Sequence, residues 1–234
     1  MLERSSGGGS DMVGANAGRS QMIAIENWGL VPYREALTRQ EEYLDQVGRE
    51  LRRETIVFCS HPPVVTLGRG TKPGDVFGWP GEAVEVSRGG RATYHGPNQV
   101  VAYPILDLNS RGRDLHSYMR NLEAAVLEVL ASFGISAEAN ALQVEDGAEE
   151  ASPATGVWIQ SKKIASIGIG VRRWISYHGL ALNVEYDPQA FIGMKPCGFA
   201  PGSVISMEEV LGEKPARVTV EARLETALLK RLSL

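Results

Sequence analysis

KIASIGIGVRRWISYHGLALNVEYDPQAFIGMKPC, running from Lys163 to Cys197, is the stretch on which the reading of this chain turns. Lys163 opens an apolar run with small residues interleaved, Ile164-Ala165-Ser166-Ile167-Gly168, which continues as a strand to Val171. Trp174–Tyr177 and Leu180–Val184 supply two further strand segments, and glycines at 168, 170 and 179 punctuate them. Those small residues leave room for another body to lie against the strand, and an extended acyl chain fits that description. The stretch closes on Lys195-Pro196-Cys197-Gly198, where proline fixes the approach and glycine lets another backbone come close. That setting suits an exposed cysteine nucleophile on a loop, brought across a folded sheet to Lys163.

Working outward, Val157–Gln160 pairs with the Lys163 strand as a hairpin turned at Ser161-Lys162. Before it, Glu138 to Thr155 is acidic and rich in Ala, Gly and Pro, the pattern of a solvated loop placed to act as a lid. Asp114 caps a helix whose apolar stripe is Leu115, Tyr118, Leu122, Val126, Val129 and Phe133, with His116 off the stripe and Gly134 ending it.

Further upstream, strands are expected at Met22–Ile25, Thr55–Cys59, Val64–Leu67, Val84–Ser87 and Val100–Leu106. A helix after Pro32 carries Tyr33, Leu37, Leu44, Val47 and Leu51 on one face. Arg88-Gly89-Gly90-Arg91 is a turn that delivers Tyr94 and His95 to a sheet edge, with His95 a candidate pocket-lining residue. Downstream, Ser206–Glu209 is a capping box opening a short helix that stops at Gly212, and a last helix spans Val220–Leu232. Residues 1–21, rich in Gly, Ser and Asn, are set apart as a disordered tail or cloning remnant, leaving 22–234 as a single catalytic domain.

The chain has 234 residues, 43% hydrophobic and 22% charged, with no apolar run long enough to cross a bilayer, so a membrane role is not expected. Its two cysteines and the lack of a signal peptide point to a reducing, cytoplasmic setting, with Cys59 a packing residue and Cys197 a free thiol. A net charge of −4 argues against nucleic acid. Arg69, Lys72, Arg88, Arg91, Arg111, Arg113, Arg172 and Arg173 remain to form a local basic face, with Arg111 and Arg113 read as solvated surface. No GxxxxGK[ST] phosphate loop is present, and Gly168-Ile169-Gly170 lacks the third glycine and the helix of a dinucleotide fingerprint.

Chemically, an ammonium beside a thiol stabilises the thiolate, the reactive form of cysteine. The same amine can hand a proton to a departing thiol and take one from an incoming amine. On sequence spacing alone, Lys163 and Cys197 are an unproven pair. Five ordered blocks, HPPVVTLGRG (61–70), RGGRATYHGPNQVVAYPILDL (88–108), GVWIQSKKIASIG (156–168), HGLALNV (178–184) and PCG (196–198), resemble the octanoyltransferases of lipoate biosynthesis.

That resemblance implies an α/β (α+β) fold of the biotin/lipoate protein ligase catalytic type, a mostly antiparallel mixed sheet flanked by helices. It implies Cys197 as the acyl-thioester nucleophile and Lys163, rather than Lys162, as the residue that lowers its pKa. Substrate-binding positions carried over are Arg88, Gly89, Gly90, Arg91, Ala92, Thr93, Tyr94, His95, Ser166, Ile167, Gly168, Gly179, Leu180 and Ala181. The implied donor is octanoyl-acyl carrier protein, and the implied acceptors are the lipoyl domains of 2-oxoacid dehydrogenases and the glycine cleavage H protein, with no cofactor, metal or ATP.

Arg69, Lys72, Arg91 and Arg172 are the expected docking cations for the acidic carrier. Oxyanion donors are expected among the amides near Lys163–Gly168 or at Cys197-Gly198. Asn98 and Ser166 depart from the glycine and alanine common in the family. Other readings are an amidotransferase moving octanoyl or lipoyl groups between protein lysines, an ATP-dependent ligase, a cysteine hydrolase, and a non-catalytic acyl-carrier-binding module.

Overall fold

A computed structural model describes residues 22–139, 155–200 and 202–233. The elements, in chain order, are β1 (Ala24–Leu30), α1 (Tyr33–Gly48), β2 (Thr55–Ser60), β3 (Val64–Leu67), β4 (Glu82–Glu85), β5 (Thr93–His95), β6 (Gln99–Ile105), α2 (Leu115–Ser132), β7 (Glu138–Ala139), β8 (Gly156–Ile159), β9 (Lys162–Arg172), β10 (Ile175–Asn183), α3 (Met207–Leu211) and α4 (Arg217–Leu232). The expected tail at 1–21 and most of the expected lid lie outside the described residues.

A seven-stranded sheet is ordered β1-β2-β6-β10-β9-β8-β7, antiparallel throughout except for β1 against β2. Beside it stands a small sheet ordered β4-β3-β5, which the sequence did not separate from the large one. The strands at the centre of the large sheet are buried on both faces: β2, β6 and β10 are buried at every position. Such strands read as continuous apolar runs rather than alternations. One face packs on α2 and α4 through Leu122, Val126, Leu130, Leu224 and Leu228. The other face packs on α1 through Ala36, Leu44 and Val47. Each fully buried aliphatic side chain contributes about 1.5–3 kcal/mol, so the two helical layers hold the sheet from both sides.

The helix signals act as capping chemistry requires. The Asp114 side chain accepts from Ser117 N at 2.9 Å, and Ser206 and Glu209 form a reciprocal capping box ahead of α3. His116 is exposed, off the buried stripe.

Several boundaries differ from expectation. The first strand is β1 at 24–30, and Met22 is 78% exposed. Leu51 is also exposed, because α1 stops at Gly48 and the chain turns through Glu50 at φ 58°. The β8–β9 turn falls at Gln160-Ser161, with Lys162 already in the strand. The segments expected at Trp174–Tyr177 and Leu180–Val184 merge into the single strand β10, Ile175–Asn183, because His178 and Gly179 stay paired with Ile169 and Gly168 even though His178 takes φ 55°. The 84–87 strand shifts to 82–85, and α4 begins three residues early, at Arg217.

Candidate functional site

Lys163 lies near the start of β9, where the pairing with β8 shifts. Val157 pairs with Ala165 but the next residue, Trp158, pairs with Lys163, so Ile164 is an extra residue in β9. A bulge of this kind reverses the in-and-out alternation. Ile164, Ala165 and Ile167 therefore all enter the core under α2, and Lys163 comes to the same face as Ser166. The bulge is why Lys163, rather than its neighbour Lys162, is 4% exposed and turned inward.

The ammonium donates to Cys197 Sγ at 3.3 Å and sits 5.2 Å from the centre of the Trp158 ring. Its stem occupies the space over Gly156, where an added Cβ would lie 2.5 Å from both Lys163 Cε and Ala165 O. The Lys163 backbone is tied on both sides, its N–H donating to Ser203 O and its C=O accepting from Ile205 N. Glu123, buried in α2, accepts from Gly156 N at 3.1 Å; burial raises its pKa, and the Lys163 charge opposes that rise.

Cys197 sits in a short 3₁₀ turn, Pro196–Gly198, and is left-handed at φ 53°, ψ 22°. A non-glycine residue in that region stores about 1–3 kcal/mol of strain and is held by its surroundings. The holding bonds are Cys197 N to Ala92 O at 2.8 Å and Lys195 N to Asp75 O at 2.7 Å. Burial raises the thiol pKa, but the charges of Lys163 and Arg88, the Lys163 hydrogen bond and the Ser166 hydroxyl outweigh it, and the net shift is downward. Cys59 is the opposite case: burial pushes its thiol well up, as befits packing.

The expected substrate segments come together around this pair. Gly168, Ile167 and Ser166 are register partners of Gly179, Leu180 and Ala181 across β9 and β10. The 88–92 loop lies over them, with Gly89 N donating to Ile169 O. Arg91 is paired in two bonds to Asp75, one of them 2.9 Å, and its guanidinium covers Gly198. Gly90 turns the loop at φ 79°, and Thr93 is buried. Tyr94 donates to Asp187 Oδ2 at 3.0 Å.

His95 is 7% exposed: it stacks on Tyr33 at 5.8 Å and bonds Gln99 within a buried cluster that also holds His61, Tyr103 and His178. Burial lowers the pKa of His61 to about 4 and of His178 to about 3. That cluster escaped the sequence reading, because its members are scattered over four elements and the loop after β2. His178 joins it from a left-handed position within β10, at φ 55°.

Other expectations are corrected. The gap at Gly168 is filled by the protein itself: an added Cβ would meet Arg88 Cδ at 3.1 Å and Gly89 O at 3.2 Å. The amides of Cys197 and Gly198 are already bonded to Ala92 O and Lys195 O and are not poised as oxyanion donors. The basic face loses Arg88 to the interior, Arg111 to a half-buried pair with Glu54, Arg91 to Asp75 and Arg172 to Asp45. Asn98 ties the chain after β10, its C=O accepting from Val184 N and Glu185 N. A hollow of about 720 Å³ opens between α2 and α4, but none of the residues placed around Lys163 and Cys197 lines it.

Residues 32–229 match the model of the lipoyl protein ligase A/B catalytic domain. The chain belongs to that family. Among family relatives, the octanoyltransferase of Bdellovibrio bacteriovorus is 41% identical over 90% of this chain and 99% of its own length. The octanoyltransferase of Citrifermentans bemidjiense is 44% identical over 82% of this chain and 88% of its own length. A lipoate-protein ligase A solved with ATP superposes with a TM-score of 0.66 at 16% identity, covering 90% of this chain and 86% of that one, which establishes a shared fold. The lipoyl protein ligase A/B relatives named here as octanoyltransferases are acyltransferases, and this chain is an enzyme of that class.

Proposed function

We propose that the chain transfers an octanoyl group from octanoyl-acyl carrier protein to the lysine of lipoyl domains, through a thioester on Cys197. The observation that carries this reading is the buried Lys163 ammonium bonded to Cys197 Sγ at 3.3 Å. Similarity to octanoyltransferases supports the choice of acyl group.

In the first half-reaction the Cys197 thiolate attacks the donor carbonyl. The carbon–sulfur bond to the carrier's arm breaks, and the Lys163 ammonium gives its proton to the departing sulfur. The free amine of Lys163 then takes a proton from the acceptor's lysine as that nitrogen attacks the acyl-enzyme, and Cys197 leaves as thiolate. Exchange of one thioester for another is nearly balanced and amide formation is downhill, so the driving force arrives with the donor.

The segments Arg88–His95, Ser166–Gly168 and Gly179–Ala181 form the acyl site in this proposal. The acceptors are the lipoyl domains of 2-oxoacid dehydrogenases and the glycine cleavage H protein, and a reducing cytoplasm keeps the thiol free. Initial rates with octanoyl-carrier and a lipoyl domain test it: parallel double-reciprocal lines are expected without ATP. Intersecting lines, or turnover only when ATP and free acid are supplied, would replace the covalent route with a ligase.

A further inference from the structure

We propose that Arg88 is a fixed counter-charge of the Cys197 thiolate, a second cation that stays charged while Lys163 moves protons. Arg88 is 6% exposed, yet no carboxylate among the described residues pairs with it. Arg52, Arg91, Arg111 and Arg217, all partly sheltered, each have one. A buried cation without a counter-ion is strongly disfavoured, so its partner has to be sought among groups able to become anions.

Neutral oxygens hold the guanidinium in place. Nη2 donates to Thr66 O at 2.8 Å and Thr66 Oγ1 at 2.7 Å, Nη1 to Gly89 O and Arg91 O at 2.9 Å each, and Nε to Thr66 Oγ1 at 3.3 Å. Every N–H direction is taken up within the protein, which leaves the fork little to offer a substrate. What Arg88 presents to the site is charge.

The same loop carries that charge to the nucleophile. Arg91 O accepts from Arg88, and the next carbonyl, Ala92 O, accepts from Cys197 N at 2.8 Å. The Arg88 stem covers Gly168, two residues along β9 from Ser166. The downward shift of the Cys197 pKa has Arg88 among its causes, after Lys163.

The division of labour follows from chemistry. Arginine does not deprotonate in proteins, whereas lysine can. Once Lys163 has handed its proton to the departing sulfur, Arg88 still bears the positive charge toward which Cys197 departs as an anion in the second half-reaction. That last step rests on the acyl-transfer proposal; the effect on the resting thiol does not.

The test is the pH profile of iodoacetamide alkylation at Cys197, resolved from Cys59 by peptide mass, in the full chain carrying Arg88→Gln or Arg88→Lys. Thermal melting shows that each variant is folded. Removal of an opposite charge near an ionising group shifts it by a unit or more, so Arg88→Gln is expected to slow alkylation at pH 7 about tenfold or more. Arg88→Lys, which loses the fork but keeps a charge, is expected to keep the wild-type midpoint.

An unshifted midpoint in folded Arg88→Gln overturns the proposal. So does an equal upward shift in both variants, which would make Arg88 a packing residue. If Arg88→Gln does not fold, Arg88→Lys decides: a wild-type midpoint supports the counter-charge role, and a rise of a full unit defeats it. None of these readouts needs a carrier, a lipoyl domain or turnover, so they stand apart from any failure of the acyl-transfer assay.

Discussion

Replacing Lys163 with methionine keeps a stem of similar length in the slot over Gly156 and removes the charge. Lys163 is 4% exposed and its ammonium lies 3.3 Å from Cys197 Sγ, so solvent screens the pair little. A hydrogen bond to a charged group contributes about 1.5–3 kcal/mol. At 1.36 kcal/mol per pKa unit, the thiol midpoint should rise by about one to two units. Only the thiolate reacts with iodoacetamide, so alkylation at pH 7 should slow by about tenfold to a hundredfold.

The rate at high pH, where both proteins are fully ionised, should differ far less. A folded Lys163→Met protein with an unchanged midpoint would mean that Lys163 does not hold the thiolate. A loss of rate that is uniform across pH would point to altered access instead of altered ionisation.

Gly156→Ala should disrupt the same pair while leaving both residues in the sequence: at φ 148° its Cβ would press on Ala165 O and Lys163 Cε, and both a lower melting temperature and a raised thiol midpoint are expected. Acid should destabilise the fold through the buried histidines. His61 and His178 have native pKa values depressed to about 4 and about 3, so the unfolded chain binds protons first as pH falls below about 6.5. Stability is then lost between that point and the native values, by roughly 3 kcal/mol for His61 and roughly 5 kcal/mol for His178 at the acid end. Melting temperature measured against pH should flatten in His61→Gln, and an unchanged slope would remove His61 from the account.

If the donor is an acidic carrier, as proposed, its docking would fall to Arg69, Lys72 and Lys195, exposed cations without a salt-bridged carboxylate among the described residues, with Phe77 61% exposed on the 72–81 loop. Lys72→Glu with Lys195→Glu should raise KM for carrier-bound donor several-fold at low salt and spare a small thioester. Equal effects on both donors would exclude docking there.

What could be read in the sequence was what short-range pattern carries. The α2 stripe, the Asp114 cap and the Ser206 capping box are local signals, and they are present as read. The Leu51 position failed because helical period says nothing about where a glycine ends the helix. The extra residue Ile164 has no local signature, so which of two adjacent lysines turns inward could come only from resemblance. Nothing in the local sequence announces the bond of Glu123 to Gly156, thirty-three positions on. Ser166, a departure from the alanine common in the family, faces the thiol and helps to lower its pKa. Gly168 was read as space for a ligand, and the chain fills that space with its own arginine.

The central claim is a covalent octanoyl-enzyme on Cys197. Its most direct measurement is the intact mass of the protein after mixing with octanoyl-loaded acyl carrier protein, beside Cys197→Ser, before and after a lipoyl domain is added. One octanoyl increment is expected on the wild-type chain and none on the serine variant, with passage of the increment to the lipoyl-domain lysine. A folded wild-type protein that acylates the lipoyl domain without ever carrying the increment, or a serine variant that carries and passes it equally well, would contradict the account.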